Sequence, residues 1–312
     1  MNTSILNIVL STDNNYVMPT GILMCSVCVN TPCKITFFVL TGKGFSEKSK
    51  SLMQQSVKGY DASVVFLPVP ENLESLLPMD KPGQPQYITV ATYYRLFLQD
   101  ILPESIDKVL YLDGDIVCRS SLLPLWNTDI EGKPVAAVYE IENNDHRYER
   151  LCYDEKDGYF NAGVLLINMK CWREHDVQKT FIEFLNNHSD RIVYHDQDVL
   201  NSVFHDNKVV LDVKFNVLNS YFVRDDIRYL YSKEEIEAVR KEPVLVHFSS
   251  HLKPWFKGCS HPFTNEFLYY KGLSPWKRTK LHVFPSPTLR GKISNIFVWL
   301  GLTKYKGNYV QL

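Results

Sequence analysis

Residues 107–126 read DKVLYLDGDIVCRSSLLPLW. Lys108 to Leu112 form a short apolar run with strand propensity, the pattern of a strand buried on both faces. The run breaks at Asp113-Gly114-Asp115. Two carboxylates one residue apart at the end of a buried strand repel each other, and burial disfavours their ionisation. A hard divalent cation with oxygen ligands resolves both problems, and a metal-bound phosphate is its usual companion. The same residues also suit a solvated turn, because Asp and Gly are favoured there. The turn follows a strand and precedes a Ser120-Ser121 helix start, which is the context a metal turn needs.

Around this stretch, 312 residues have room for one large α/β domain or one domain with a modest appendage. The 45% hydrophobic content supports a full core, and the 22% charged content is ordinary for a globular chain. A net charge of −1 points away from a nucleic-acid partner. From Pro262 onward, however, there are eight Lys or Arg against Glu266 alone. Seven cysteines, an odd number, do not read as a disulfide framework. Cys25, Cys28 and Cys33 lack a second Cys or His pair at zinc spacing. Structural thiols in a reducing cytoplasm are therefore expected, with Cys25 and Cys28 on one helix. The N-terminal MNTSILNIVLSTDNNY lacks the basic start and long apolar region of a signal peptide. No apolar run reaches the roughly 18 residues a membrane span needs.

Upstream of the turn, Ile5–Leu10 is an apolar, β-branched run ending in the polar loop Thr12–Tyr16. A helical segment follows from about Pro19 to Val29. Strands at Ile35–Leu40 and Ala62–Leu67 then flank a helical Ser46–Lys58. This alternation predicts an α/β, doubly wound parallel sheet. Such sheets bind ligands beyond the carboxyl ends of their strands, where both Thr12–Tyr16 and Asp113–Asp115 fall. Pro68–Gln86 has loop composition, and Thr89–Leu102 returns to helical spacing, with Tyr94, Leu98 and Ile101 on one face and Arg95 near another.

Downstream, Pro134–Tyr139 is a buried strand, and the charged Ile141–Lys156 has the look of a mobile surface loop or lid. Tyr159–Met169 (YFNAGVLLINM) is a strand with a polar start, and Lys170–Asn187 is one amphipathic helix. Tyr194–Phe204 is a short helix whose first turn carries Asp196, Gln197 and Asp198. Capping explains a carboxylate there; three polar residues in a row suit a site equally well. Val244–Phe248 (VLVHF) is the last core strand, and composition alone leaves His247 in the core. Ser249–Trp255 then offers Lys253 to an anion.

Taken together, these segments resemble the retaining glycosyltransferases of family 8, the lipopolysaccharide galactosyl- and glucosyltransferase group. The resemblance covers roughly residues 5–260 and rests on NIVLSTDNNY, TYYRL, DKVLYLDGDIV, LLPLW, YFNAGVLLINMKCWRE, YHDQDVLN and VHFSSHLKPW in this order. It implies a GT-A fold, a Rossmann-like, mainly parallel sheet flanked by helices, over residues 1–260, followed by a basic, aromatic region at 261–312. It also implies a UDP-sugar donor with Mn²⁺, for which Mg²⁺ could substitute, and retention of the donor's anomeric configuration. By motif match, Asp113 and Asp115 would hold the metal together with His247. Ser11 and Gly114 would lie in the donor-binding loops, Asp13 and Asn15 would contact the uracil and ribose, and Lys253 the diphosphate. Arg95, Asn161, Asp196 and Gln197 would line the donor sugar. Two positions depart from the family pattern. Ser250-His251 stands where Gly-Pro is common, and Glu140 stands where the acidic residue after the fifth strand is usually Asp.

The chemistry fits these residue types. Transfer from a nucleoside diphosphate separates charge between a cation-like sugar and a departing diphosphate. A metal on Asp113, Asp115 and a neutral His247 would offset that charge without proton transfer, and Lys253 would add a second positive centre. A double displacement needs a carboxylate near the anomeric carbon. Gln197 is a poor nucleophile, which favours front-face attack with Gln197 stabilising the cation; Asp196 and Asp198 are the candidates otherwise.

The expectation is a metal-dependent hexosyltransferase moving glucose or galactose from a UDP-hexose to a glycan or glycolipid acceptor, such as a lipopolysaccharide or other cell-surface glycan precursor. One rival is a Mg²⁺-dependent phosphohydrolase, because a strand ending in Asp-x-Asp also suits phosphoryl transfer. Another is a catalytically silent glycan-binding relative. Trp276-Lys277-Arg278, Arg290-Gly291-Lys292 and Ile296–Leu302 mix cations with apolar residues. That suits peripheral contact with an anionic inner leaflet, or a C-terminal subdomain packed on the core with solvated lysines.

Overall fold

In the computed structural model, which describes residues 5–77, 90–141, 146–223, 231–284, 289–305 and 309, the three N-terminal apolar runs become β1 (Leu6–Thr12), β2 (Ile35–Thr41) and β3 (Ala62–Pro68). Helices Val17–Asn30 and Glu47–Ser56 connect them. The remaining strands are β4 (Lys108–Leu112), β5 (Ile116–Cys118), β6 (Val135–Tyr139), β7 (Phe160–Asn168), β8 (Val209–Val210), β9 (Val217–Leu218) and β10 (Leu245–His247). Seven of them form one sheet in the order β3-β2-β1-β4-β7-β6-β8, and β5-β10-β9 form a second. Pairing is parallel from β3 through β4 and between β6 and β8; β7 runs antiparallel to both neighbours. The α/β architecture with a mainly parallel sheet is therefore the one expected.

The reversal at β7 builds the rim. Because β7 opposes β4, its first residues lie beside the last residues of β4, with Val164 paired to Leu112. Residues following the carboxyl ends of β1 and β4 thus share an edge with the polar start of β7. The short sheet then delivers β10 to the same edge, with His247 paired to Ile116 immediately beyond the Asp113–Asp115 turn.

Side-chain alternation along each central strand feeds two cores. Ile8, Leu10, Leu110, Leu112, Val164 and Leu166 enter one, and Val9, Val109, Tyr111, Leu165 and Ile167 the other. Helix Val17–Asn30 is buried over Val17–Cys28, since the sheet, helix Glu47–Ser56 and helix Thr264–Leu273 all contact it. Phe263, Phe267, Tyr270 and Trp276, beyond residue 260, join that same core. All seven cysteines are free. Burial pushes the Cys25 thiol up to about 11 and the Cys28 thiol up to about 12, as expected for structural thiols on one helix.

Three local expectations change. Val90–Phe97 is a 3₁₀ helix, with only Leu98–Ile101 α-helical, because Tyr93 through Phe97 are all buried and the segment lacks the single exposed face of an amphipathic helix. Lys170–Asn187 falls into two helices, Met169–Glu174 and Val177–Asn187, joined through Asp176 at φ 47°. Aspartate tolerates that left-handed conformation. The charged stretch after Ile141 is not a loose lid over its described part. Arg147–Leu151 is helical, Arg147 is buried with its guanidinium 4.3 Å from the Tyr159 ring centroid, and Arg150 pairs with Asp198. Residues 142–145, and residues 78–86 of the expected Pro68–Gln86 loop, lie outside the described residues. Among the described residues no helix is long and apolar enough to cross a membrane.

Candidate active site

A cavity of about 440 Å³ opens on this rim. Its lining includes Ser11, Asp13, Arg95, Asp113, Gly114, Asp115, Asn161, Asp196, Gln197, His247 and Lys253. Asn15, also expected at the site, is exposed and is not part of the lining; its N–H donates to Asp13 Oδ1 at 2.8 Å. Asp13 Oδ1 also accepts from the Tyr16 N–H at 3.0 Å, so one carboxylate oxygen shapes the loop that follows β1. Ser11 Oγ donates to the Ala91 carbonyl.

The Asp113–Asp115 turn is pinned from both sides. The Asp113 N–H donates to Gly163 O at 2.8 Å, and the Phe248 N–H donates to Asp115 O at 3.0 Å. A Cβ on Gly114 would lie 2.5 Å from Thr20 Oγ1, so the turn packs against its neighbouring helix only without a side chain there. Asp113, Asp115 and His247 each offer one ligand atom within 4.8 Å of the others. His247 Nε2 is 3.3 Å from Asp115 Oδ1 and 3.9 Å from Asp113 Oδ2. Two carboxylates and an imidazole converging this closely suit a divalent ion with oxygen and nitrogen ligands.

Lys253 complements this centre. Its Nζ lies 2.6 Å from Asp115 Oδ2 and 2.6 Å from Phe248 O, and the residue is buried. Burial alone would raise the Asp115 pKa, but the Lys253 ammonium and His247 hold it well below the usual carboxylate range.

Behind the metal turn, Arg95 Nη2 pairs with Asp113 Oδ1 at 2.7 Å, and Nε lies 2.8 Å from Asp196 Oδ2. Burial would weaken the guanidinium charge; Asp113 and Asp196 outweigh it. Tyr111 completes the arrangement, its ring 4.1 Å from the guanidinium and its hydroxyl donating to Asp113 Oδ1 at 3.2 Å. Asp196 is almost fully buried, and desolvation pushes its carboxyl up to about 7 despite Arg95, with Asp113 adding to the rise.

Gln197 is clamped. Its Oε1 accepts from the Ala162 N–H at 2.9 Å and from Asn161 Nδ2 at 3.1 Å, and its Nε2 donates to Glu140 Oε2 at 2.6 Å. Asp198, the fallback nucleophile, is saturated: it accepts from Arg150, the Tyr159 hydroxyl and the N–H groups of Val193 and Tyr194. It is fully buried and forms no part of the cavity lining. Its role in this fold is to anchor the helix His195–Phe204.

Two functional neighbours escaped sequence reasoning. Tyr111 sits inside the apolar run that marks β4, where an aromatic residue signals only core. Asn216 is fully buried between Phe215 and Val217, and its Oδ1 lies 3.0 Å from His247 Nδ1. A lone asparagine within VKFNVL was its only signal.

Known proteins carry the same plan. A family model described as glycosyl transferase family 8 matches residues 7–259. A lipopolysaccharide 1,3-galactosyltransferase of Salmonella typhimurium is 32% identical over 282 residues, spanning 88% of this chain and 80% of that protein. General stress protein A of Bacillus subtilis is 27% identical over 278 residues, spanning 87% and 95%. Among solved structures, the galactosyltransferase LgtC in complex with donor and acceptor sugar analogs matches with a TM-score of 0.74 at 28% identity, covering 92% of this chain and 100% of that one.

Proposed function

This chain belongs to glycosyl transferase family 8, and from that premise we propose that it transfers glucose or galactose from a UDP-sugar to a glycan or glycolipid acceptor with retention of configuration. The acceptor class we infer is a lipopolysaccharide or related cell-surface glycan precursor, by similarity to the Salmonella enzyme. The observation that carries the reading is the convergence of Asp113, Asp115 and His247 on the rim that also holds the Asp13 loop.

Those three residues would hold Mn²⁺, or Mg²⁺ in its place, and the bound ion would offset the charge that develops on the departing diphosphate. Lys253 adds a buried positive charge on the same side. Asp13, in the loop after β1, and Ser11, near the end of that strand, would face the nucleoside. On the sugar side, Asp196 is buried against Arg95, and desolvation raises the affinity of its carboxyl for a proton, which suits hydrogen bonding to a hydroxyl better than nucleophilic attack. The Gln197 amide is held rigid by Asn161, Ala162 and Glu140 and aims a fixed dipole at the reaction centre. Asp198 is saturated and Asp196 is held in an ion pair by Arg95, so attack from the face of departure is the mechanism we favour. A phosphohydrolase would need Asp113 as a free nucleophile, whereas Arg95 and Tyr111 bind its Oδ1.

We further propose that residues 1–260 form the catalytic unit and that the region 261–312 brings it to the cytoplasmic face of a membrane. Helix Leu289–Trp299 would make that contact. Incubation with a panel of nucleotide sugars and Mn²⁺, with UDP release as readout, tests the catalytic reading. Turnover or binding confined to UDP-hexoses is expected; no Mn²⁺-dependent turnover or binding of any UDP-sugar overturns it.

A further inference from the structure

We propose that Asn216 fixes the tautomer of His247, so that Nε2 presents its lone pair to the metal; the proposal rests on the metal-dependent reading of the site. The argument begins with a group whose role is unambiguous. The Gly163 N–H can only donate, and it donates to Asn161 Oδ1 at 2.9 Å. The Asn161 amide is thereby oriented, with Nδ2 facing Glu140 Oε2 and Gln197 Oε1. Asn161 Oδ1 accepts a second bond, from Asn216 Nδ2 at 2.8 Å. That orients the Asn216 amide in turn and leaves its Oδ1 facing His247 Nδ1 at 3.0 Å. An acceptor at that position requires Nδ1 to carry the hydrogen.

The competing tautomer has an obvious attraction. With its hydrogen on Nε2, His247 could donate to Asp115 Oδ1, 3.3 Å away, and would then be unable to ligate. The Asn161–Asn216 chain opposes that choice. Its members are well placed to do so: Asn216 is fully buried at the end of the Val213–Phe215 turn, directly before β9, and β9 pairs in parallel with the strand that carries His247. Buried amides with both ends bonded are rigid, since breaking either bond leaves an unsatisfied polar group. Packing seals the arrangement, because a Cβ on Gly163 would lie 2.4 Å from His247 Cε1 and 2.9 Å from Asn161 Oδ1. One relay therefore runs from residues on the Gln197 side of the cavity to the metal histidine. Asn216 is a positioning residue: it is not part of the cavity lining and would act through His247.

Two measurements on the full chain test this. In metal-free protein labelled with ¹⁵N-histidine, at about pH 8, where an ordinary imidazole is neutral, the His247 signal is identified by its loss in His247→Ala. Protonated Nδ1 and unprotonated Nε2 are expected; a hydrogen on Nε2 overturns the proposal. Mn²⁺ binding by electron paramagnetic resonance then compares Asn216→Leu with Asn216→Asp, with circular dichroism to verify folding. Removing the acceptor in Asn216→Leu should weaken Mn²⁺ binding by about 10–100-fold. Asn216→Asp keeps an acceptor toward Nδ1 but sets its second oxygen against Asn161 Oδ1, so it should bind better than Asn216→Leu and below wild type. A folded Asn216→Leu that binds like wild type overturns the proposal, as does an Asn216→Asp no better than Asn216→Leu. A wild type that binds no Mn²⁺ overturns the parent reading, whereas the wrong tautomer in a wild type that does bind overturns this inference alone.

Discussion

Arg95 and Asp113 form a 2.7 Å ion pair whose arginine is buried and whose aspartate side chain is 27% exposed to the cavity. The guanidinium therefore stiffens a candidate metal ligand from behind while that carboxylate stays open in front. Because the same guanidinium lies beside Asp196, it also supplies the countercharge of a carboxylate that has no other cation within ion-pair distance among the described residues. Arg95→Met should cost on the order of 3 kcal/mol of stability, since it strands buried charge. Arg95→Lys should recover only part of it, because an ammonium cannot reproduce the fork to Asp113 and the Thr92 and Ala162 carbonyls beside Asp196. Urea unfolding of the two variants checks this; a loss below about 1 kcal/mol in Arg95→Met would mean that the pairs are solvated.

Asp115→Asn separates ligation from folding. The substitution keeps the shape of a side chain that is 11% exposed, and Lys253 retains its bond to Phe248 O. Mn²⁺ binding and metal-dependent turnover should be lost while the circular dichroism spectrum stays native. Near-normal turnover would place the metal elsewhere, and loss of the fold would make the carboxylate structural.

The sequence carried some of this plainly and hid the rest for physical reasons. Asp113-Gly114-Asp115 was legible because two carboxylates one residue apart at the end of a buried strand are costly without a cation, although a solvated turn would read the same. His247 was not, since an imidazole inside VLVHF looks the same whether it packs or ligates; the family resemblance was needed to assign it. The direction of β7 was hidden for a similar reason. An apolar run such as GVLLIN reads alike in either orientation, yet its reversal is what brings Asn161 beside Asp113. Asn216 could be found only in three dimensions, because its partners Asn161 and His247 lie far from it in the chain. Arg147 and Arg150 looked like solvent-facing charge, but their partners Tyr159 and Asp198 are interior groups supplied by later segments.

His261 sets an acid limit. Its ring is surrounded by Phe222, Phe248, Phe263 and Tyr309, Nδ1 accepts from the Phe263 N–H, and burial lowers its pKa to about 3. The unfolded chain takes up a proton at this residue near pH 6.5. Unfolded protein thus binds more protons than folded protein between these values, so stability present above about pH 6.5 is lost as pH falls toward 3. His261→Asn removes the titration but keeps an acceptor for Phe263. The variant should be less stable than wild type at neutral pH because it leaves a gap, and the difference in Tm should shrink steadily below about pH 6. A difference that stays constant with pH would show that His261 is not held neutral.

Helix Leu289–Trp299 and the residues after it carry the prediction about membranes. Ile296, Phe297, Trp299, Leu300 and Leu302 are 47–65% exposed, whereas Val298 is buried and pins the helix to the body of the protein. Lys257 lies 5.4 Å from the Trp299 ring and donates to its carbonyl, and Lys292 and Lys304 flank the patch in the chain. Apolar residues backed by cations favour an interface of anionic headgroups, each lysine adding about 1 kcal/mol near such a surface. The full chain should therefore sediment with vesicles containing phosphatidylglycerol, less with pure phosphatidylcholine, and less again at high salt. Replacing Phe297, Trp299 and Leu300 together by serine should reduce partitioning at least about tenfold, since partial burial of three large apolar side chains exceeds 1.4 kcal/mol. UDP release from the donor alone should be unchanged, because none of the three lines the cavity. Equal sedimentation of wild type and triple variant would leave the exposed helix face without a role at lipid.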